Sequence, residues 1–275
     1  MIDLHSHTTA SDGRLSPTEL VRRAREAGVT KLAVTDHDTV AGLAEATAAA
    51  STLGGIELIC GIEISTSIDG KDIHVLGHFV DSEHAALRAF AEEQLHERRA
   101  RMERMVEKLG RMNIKVDMRD VEAAAGSDNL CRPHLARVLV ERNIVRDMQD
   151  AFTKYLGDDR PAFSPHRTPS AADAIALVHA AGGVATLAHP LADGIERPQI
   201  SKLRDLGLDG LEVFRPDQAA PAHQKWLEIA VELDLVPTGG SDYHADPGAL
   251  GTVSLEERWF DLLRDRVGVV RAQGA

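Results

Sequence analysis

Thirteen histidines stand against six phenylalanines, two tyrosines and two tryptophans in 275 residues. A chain so poor in aromatic rings does not use imidazole as ordinary packing material, and several of these histidines sit close to carboxylates. His5-Ser6-His7 places two imidazoles at i and i+2. On an extended segment both point to one side and can reach one ion. Asp12 follows in the turn Ser11-Asp12-Gly13. Asp36-His37-Asp38, Glu63 in Gly61-Ile62-Glu63, His74, His189-Pro190 and Asp242-Tyr243-His244 complete the set. Each has a bland reading alone. A lone histidine on an apolar strand is usually a hydrogen-bonded core residue, an aspartate before a helix is usually a cap, and an isolated HxH is a weak metal signal. Six histidines and three carboxylates recurring near strand ends are hard to explain as separate accidents. Mixed imidazole and carboxylate donors suit Mn, Fe or Zn better than Ca, and the lack of nearby cysteine disfavours a structural thiolate site.

These residues need a scaffold that delivers them to one place. Residues 2–4, 31–35, 56–65, 72–80, 184–188, 210–214 and 235–238 read as short strands. Helices alternate with most of them. Ser16-Pro17-Thr18-Glu19 combines a capping serine, a proline at the first helical position and a capping-box glutamate. Leu20, Val21, Ala24 and Ala27 give that helix an apolar face, and Gly28 stops it. An alanine-rich helix over 40–53 ends at Gly54-Gly55, and further helices are expected from Ser170, near 198–206 and from Pro221. The alternation predicts parallel strands with helical crossovers. With about seven strands and no glycine-rich dinucleotide fingerprint, a closed or distorted barrel fits better than a doubly wound open sheet. The candidate residues would then lie at the carboxyl ends of the strands, where parallel barrels build their sites.

The middle of the chain differs. Residues 85–112 form a long helical stretch with an apolar stripe, and the run HERRARMER within it reads as a solvated face. Two short helices are expected at 132–142 and 147–156. Residues 90–165 are therefore read as a helical insert between two barrel parts, 1–89 and 166–275.

Composition removes several function classes. The formal charge of −12 argues against a broad basic face for duplex nucleic acid. Cys60 and Cys131 cannot form a disulfide framework. No apolar run approaches a membrane span and the first ten residues lack a secretory pattern, so the expectation is a cytoplasmic protein without membrane partners.

In order, HSHTTASDG, VTDHD, GIE, IHVLG, AHP and SDYH resemble the motifs of the PHP (polymerase and histidinol phosphatase) phosphoesterases. The resemblance spans the chain outside the insert. Within it, CRPHLA and AFTKYL are similar to the insert of small stand-alone nucleotide phosphoesterases, which act on nucleoside 3′,5′-bisphosphates or as 5′–3′ exonucleases on short RNA. The resemblance implies a distorted (β/α)7 TIM-like barrel with a helical insert capping a trinuclear site. It would have His5, His7, Glu63 and Asp242 bind one metal, Glu63 bridge to a second completed by His74 and His189, and Asp12, His37 and His244 hold a third. Manganese is the first expectation among Mn, Fe and Zn.

Such a site would solve an electrostatic problem. Three divalent ions bring about +6, three carboxylates lower this to about +3 and a hydroxide to about +2. A phosphate monoester near −2 would thus meet a locally cationic pocket in an acidic protein. The expected chemistry is hydrolysis by a water made acidic on the metals, with the phosphoryl oxygens neutralised and oriented by the same ions. Asp36 is expected to support a ligating histidine rather than bind metal. Arg132 and His134 are expected to clamp a phosphate, with Asp12, Lys154 and His166 as further substrate contacts. His78, His84, His96, His179 and His223 are read as structural or solvent-facing, His78 being the closest to the site pattern. Two enzyme alternatives share much of this set: a histidinol-phosphate-type phosphatase, and an amidohydrolase-type amide hydrolase, against which stands the absence of a strand-end lysine.

Overall fold

The computed structural model describes residues 1–245, 249–253 and 255–274, with the side chains of 273 and 274 left aside. Seven strands form one sheet in chain order: β1 Ile2–Asp3, β2 Lys31–Val34, β3 Glu57–Ile68, β4 Lys71–His78, β5 Val184–Leu187, β6 Gly210–Phe214 and β7 Val236–Gly239. Past β1 the extended chain runs on against the end of β7. Leu4 N–H donates to Gly239 O, Asp242 N–H to His5 O and His7 N–H to Tyr243 O, and Ser6 bridges Tyr243 in parallel. The sheet therefore closes into a distorted barrel across the segment that carries His5 and His7.

Not every strand is parallel. β1, β2 and β3 pair in parallel, as do β5, β6 and β7, but β4 is antiparallel to both neighbours. The reason lies in Asp69-Gly70, both at positive φ (51° and 77°), which close β3 onto β4 as a tight hairpin. An Asp-Gly turn between two strands favours this conformation because both central residues need φ above zero. The reversal changes the expectation for His74. It lies midway along β4, opposite Ser65, and not at a strand end.

Helices α1 Pro17–Glu26, α2 Leu43–Leu53, α7 Ala171–Ala180, α8 Arg197–Asp205, α9 Ala220–Glu232 and α10 Glu257–Gly274 surround the barrel. The Ser16–Glu19 capping box is present. The carboxy-terminal α10 had no counterpart in the sequence reading; it covers the barrel floor through Phe260, Leu263, Val267 and Val270, packed with Ile2, Leu4 and Val236. None of the described helices is long and apolar enough to cross a membrane.

The insert comprises most of α3 Ala85–Arg111, then α4 Met118–Ala125, α5 Arg132–Glu141 and α6 Met148–Ala151, which runs into a π-helical turn at Phe152–Leu156. Helix α4, opened by an Asp117–Asp120 capping box, was also unanticipated. Helix α3 serves two cores. Leu87 packs in the barrel core, whereas Met102, Met105 and Leu109 join Leu135, Leu139 and Leu156 in a separate insert core. The charged run in α3 is not a uniformly solvated face. Arg98 and Arg101 are buried: Arg98 pairs with Asp38, and Arg101 lines a cleft beside the site.

Candidate metal centre and its cleft

Glu63 sits at the middle of the rim. Its Oε2 lies 3.3 Å from His5 Nε2, 3.2 Å from His7 Nε2 and 3.0 Å from His37 Nδ1. Its Oε1 lies 3.1 Å from His189 Nε2 and 3.4 Å from His74 Nδ1. Asp242 Oδ1 approaches His5 Nε2 at 3.4 Å and His7 Nε2 at 3.2 Å, and Asp12 Oδ1 approaches His244 Nε2 at 3.2 Å. The donor atoms fall into overlapping groups, each compact enough to surround one ion: His5, His7 and Asp242; His5, Glu63 and His189; His74, His189 and Asp193; and His7, Asp12, His37 and His244. All nine residues expected as ligands thus meet. Asp193 joins them, four residues past His189, where no strand pattern pointed to it.

The fit to cations is visible in what these atoms lack. His5 Nε2, His7 Nε2, Asp12 Oδ1, His37 Nδ1, Glu63 Oε2, His189 Nδ1 and Asp193 Oδ2 are buried with no hydrogen-bond partner. Around Glu63 Oε2 and Asp12 Oδ1 the imidazole nitrogens approach the carboxylate oxygens without aligning, whereas His189 Nε2 does align with Glu63 Oε1 at 3.1 Å. Even His74 Nδ1 and His189 Nε2, two ring nitrogens, face each other at 3.2 Å. Leaving such polar groups buried and unpaired is costly, and divalent cations are the groups that satisfy lone pairs converging in this way. A multi-metal site for divalent ions follows from the donor set.

Backbone geometry and neighbouring side chains aim the ligands. His189 (φ 25°) and Asp242 (φ 52°) occupy the left-handed region, which non-glycine residues populate sparsely and which concentrates at functional turns. Gly240 is demanded by packing: a Cβ there would lie 2.2 Å from His5 Cβ and 2.9 Å from Glu212 Oε1. Glu212, on β6, is a supporting residue the sequence reading missed. Its Oε1 faces His5 Nδ1 at 3.0 Å and its Oε2 accepts the His189 N–H at 2.8 Å. It thereby turns His5 Nε2 towards Glu63, as carboxylate–histidine pairs do around metals. Arg215, just past β6, holds Glu212 at 3.1 Å and reaches Asp242 Oδ2 at 3.4 Å. A charged residue directly after a strand was a signal available in the sequence.

The charges respond to this crowding. Burial works against a proton on His5, but Glu63, Asp242 and Glu212 outweigh it and push its pKa up to about 9. For His37 burial wins over Glu63 and Asp12, and its pKa falls to about 3. Glu212 is held down at about 2 because His5 and Arg215 overcome the cost of burying it.

The supporting role expected for Asp36 is indirect. Its carboxylate accepts from Thr8 N–H, Thr8 Oγ1 and Ser11 Oγ, the last at 2.6 Å, and Ser11 Oγ in turn lies 3.5 Å from His7 Nδ1. His78 is structural: its Nε2 lies 2.8 Å from the Leu4 carbonyl behind the site.

A cleft of about 660 Å³ opens from the cluster towards the insert. Its lining includes His74 and Asp193 from the cluster and Arg101, Arg132, Phe163 and His166 from the insert and the segment that follows it. Arg132 Nη1 donates to Asp158 at 2.8 Å, and its guanidinium lies 5.9 Å from the Phe163 ring centre. Arg101 donates through Nε to the Ser164 carbonyl at 2.8 Å. Burial and the neighbouring Arg132 and Arg98 lower its pKa to about 10. Burial and Arg98 likewise press His166 down to about 3. Three expected substrate contacts lie off this cleft: Asp12 is buried in the group with His7, His37 and His244, and His134 and Lys154 point elsewhere. His134 is fully buried, with Nδ1 accepting the Cys131 N–H at the start of α5. Lys154 pairs with Asp150 at 2.8 Å beside a different depression, shared with Arg146. Arg101, hidden in the run read as solvated, takes their place in its lining.

Comparison with known proteins agrees with this geometry. Residues 3–131 match the family model for the PHP domain. The chain is 40% identical to the 5'-3' exoribonuclease of Haemophilus influenzae, over 88% of this chain and 89% of that protein. It is 35% identical to the 3',5'-nucleoside bisphosphate phosphatase of Chromobacterium violaceum, over 91% of this chain and 89% of that one. The solved structure of an amidohydrolase from Chromobacterium violaceum, with bound sulfate and no metal, superposes with a TM-score of 0.88 at 32% identity and covers 96% of each chain.

Proposed function

The chain belongs to the PHP-domain phosphoesterase family, and we propose that this metal-dependent phosphoesterase hydrolyses phosphate esters of nucleotides, either a nucleoside 3′,5′-bisphosphate or the 5′ end of a short single-stranded RNA. One observation carries the reading: a single cleft is lined both by His74 and Asp193, members of the metal-ligand cluster, and by two arginines, Arg101 and Arg132. A substrate with two phosphates matches that lining in chemistry. The scissile phosphate goes to the cluster and the second to Arg101 and Arg132, whose planar guanidinium groups suit phosphate oxygens.

His5, His7, Glu63 and Asp242 would hold one ion, Glu63, His74 and His189 a second, and Asp12, His37 and His244 a third, with manganese the first choice. Bound there, divalent cations neutralise phosphoryl oxygens and make a coordinated water acidic enough to attack at neutral pH. The protein's own part is orientation. Glu63 ties the groups together through its two oxygens, Glu212 fixes the His5 ring, His5 and Arg215 keep Glu212 ionised, and His5, His7 and His244 do the same for Asp242. Asp193 lines the cleft beside His74 and His189. Phe163, backed by Arg132, offers a flat surface for a base. No covalent phosphoenzyme is required.

The exoribonuclease outcome is favoured by the 40%-identical relative, and the bisphosphate outcome by the paired arginines. A substrate panel with purified manganese-loaded protein decides: a nucleoside 3′,5′-bisphosphate, 5′-AMP, a 5′-phosphorylated RNA pentamer and histidinol phosphate. Phosphate or mononucleotide release should be far faster from the bisphosphate or the pentamer than from histidinol phosphate. Preference for histidinol phosphate, or hydrolysis of amides only, would overturn the proposal.

A further inference from the structure

We propose that the insert positions one ion site of the cluster, the group His7, Asp12, His37 and His244, while the remaining groups are held chiefly by the barrel. The inference rests on the metal-binding reading above. Three insert side chains cross to the barrel. Arg98 of α3 grips Asp38 through Nε at 3.0 Å and through Nη2. Asn129 Nδ2 donates to the His37 carbonyl at 2.6 Å, and Arg137 Nη2 of α5 donates to the Asp12 carbonyl at 2.6 Å. All three reach the two loops that carry Asp12 and His37, and Arg98 also donates to Ser65 Oγ on β3 at 3.2 Å. Among the described residues, no insert side chain hydrogen-bonds the segments bearing His189 or Asp242.

The asymmetry follows from how the ligands are held. Glu63 and His74 sit on paired strands, and His5 and His7 on the extended segment that closes the barrel. Asp12 lies in a turn beyond β1, and His37 lies past the end of β2, where a single parallel bridge to Glu63 is its link to the sheet. Asp38, next to His37, has φ 51°, a left-handed conformation that side-chain-bearing residues populate sparsely, aspartate more readily than most. It is held by what surrounds it: its N–H donates to Glu63 O at 2.8 Å, its Oδ1 accepts Ser65 N–H at 2.7 Å, and its Oδ2 takes Arg98. Ligand geometry tolerates errors of only about half an ångström, so the tethers keep Asp12 and His37 at binding distance from His7 and His244. The same helix α3 carries Arg101, and α5 begins at Arg132. The two arginines and this ion site are thus placed by the same two helices.

Metal stoichiometry tests the inference. Asn129→Ala and Arg137→Met are made singly and together, with Arg98 left intact because its loss would strand a buried carboxylate. Manganese bound per chain is measured by elemental analysis and by calorimetric titration, and melting is followed in chelator. The expected result is that one manganese equivalent weakens about 10- to 100-fold, the others keep wild-type affinity, and the metal-free melting temperature stays close to wild type. The added effect should vanish in a His37→Ala background and persist in a His74→Ala background, since only coupled changes are non-additive. Unchanged binding, uniform weakening of every equivalent, or an undiminished effect in His37→Ala would overturn the inference. A wild-type chain that takes up manganese alongside unaffected variants overturns this inference alone. A wild-type chain that takes up none overturns the metal reading and the inference with it.

Discussion

The barrel rim and the insert treat charge in opposite ways. At the rim, imidazoles and carboxylates are buried with lone pairs that find no hydrogen-bond partner. In the insert most cations already have partners: Arg142 with Asp120, Lys154 with Asp150, Arg99 with Glu122. The rim is an unfinished arrangement that ions complete. The insert is a finished one, with its own core built on Met102, Met105, Leu135 and Leu139, and it leaves Arg101 facing the cleft without a carboxylate partner among the described residues. Chemistry belongs where polar groups are held against their preference; selection belongs where a stable surface presents a few free donors.

This contrast can be broken by substitution. His7→Ala or Asp242→Ala should lower turnover about 10³-fold or more, because losing a ligand forfeits several kcal/mol of charge stabilisation; circular dichroism should show the fold retained. Thorough chelation should have the same result, reversed by manganese, and activity that survives chelation would remove metals from the reaction. Leu135→Ala, in the insert core, should destabilise by about 2–5 kcal/mol. Denaturant melts should register that loss, with the insert opening first because its core is separate.

Smaller effects sharpen the division. Arg132→Ala and Arg101→Ala should each raise KM for a bisphosphate about 10- to 100-fold, the worth of one charge-assisted contact, and leave hydrolysis of a simple aryl phosphate nearly unchanged. Equal losses on both substrates would place these arginines in the chemistry instead. Glu212→Gln should weaken manganese binding about 10- to 100-fold without abolishing it. Lys154→Ala should change KM by less than about twofold, since its half-exposed ion pair contributes little; a larger change would bring the Lys154 face back into substrate binding.

Much of the site was legible because ligands sit next to elements with strong local signals. His5-Ser6-His7 follows a strand, and the spacing alone puts both rings on one side. The Ser16–Glu19 cap and the glycine stops of the first helices were equally local. What escaped were features whose meaning depends on distant chain. Glu212 looks like any strand glutamate until His5, 207 residues away, is placed against it. Arg101 lies in a run of charges that helical periodicity alone cannot sort into wet and dry faces. The parallel barrel was over-generalised because the Asp69-Gly70 hairpin signal was not given its weight.

Residue types and their order determined that this chain carries a metal-ligating set on a strand–helix scaffold interrupted by helices, since hydrophobic periodicity, caps and donor chemistry are local properties. Only the tertiary structure decided which donors share an ion, that β4 runs backwards, that Asp193 joins the cluster and that Arg101 rather than Lys154 or His134 faces the cleft. These are distances between residues far apart in sequence, and they are set by how the barrel closes and where the insert core seats its helices.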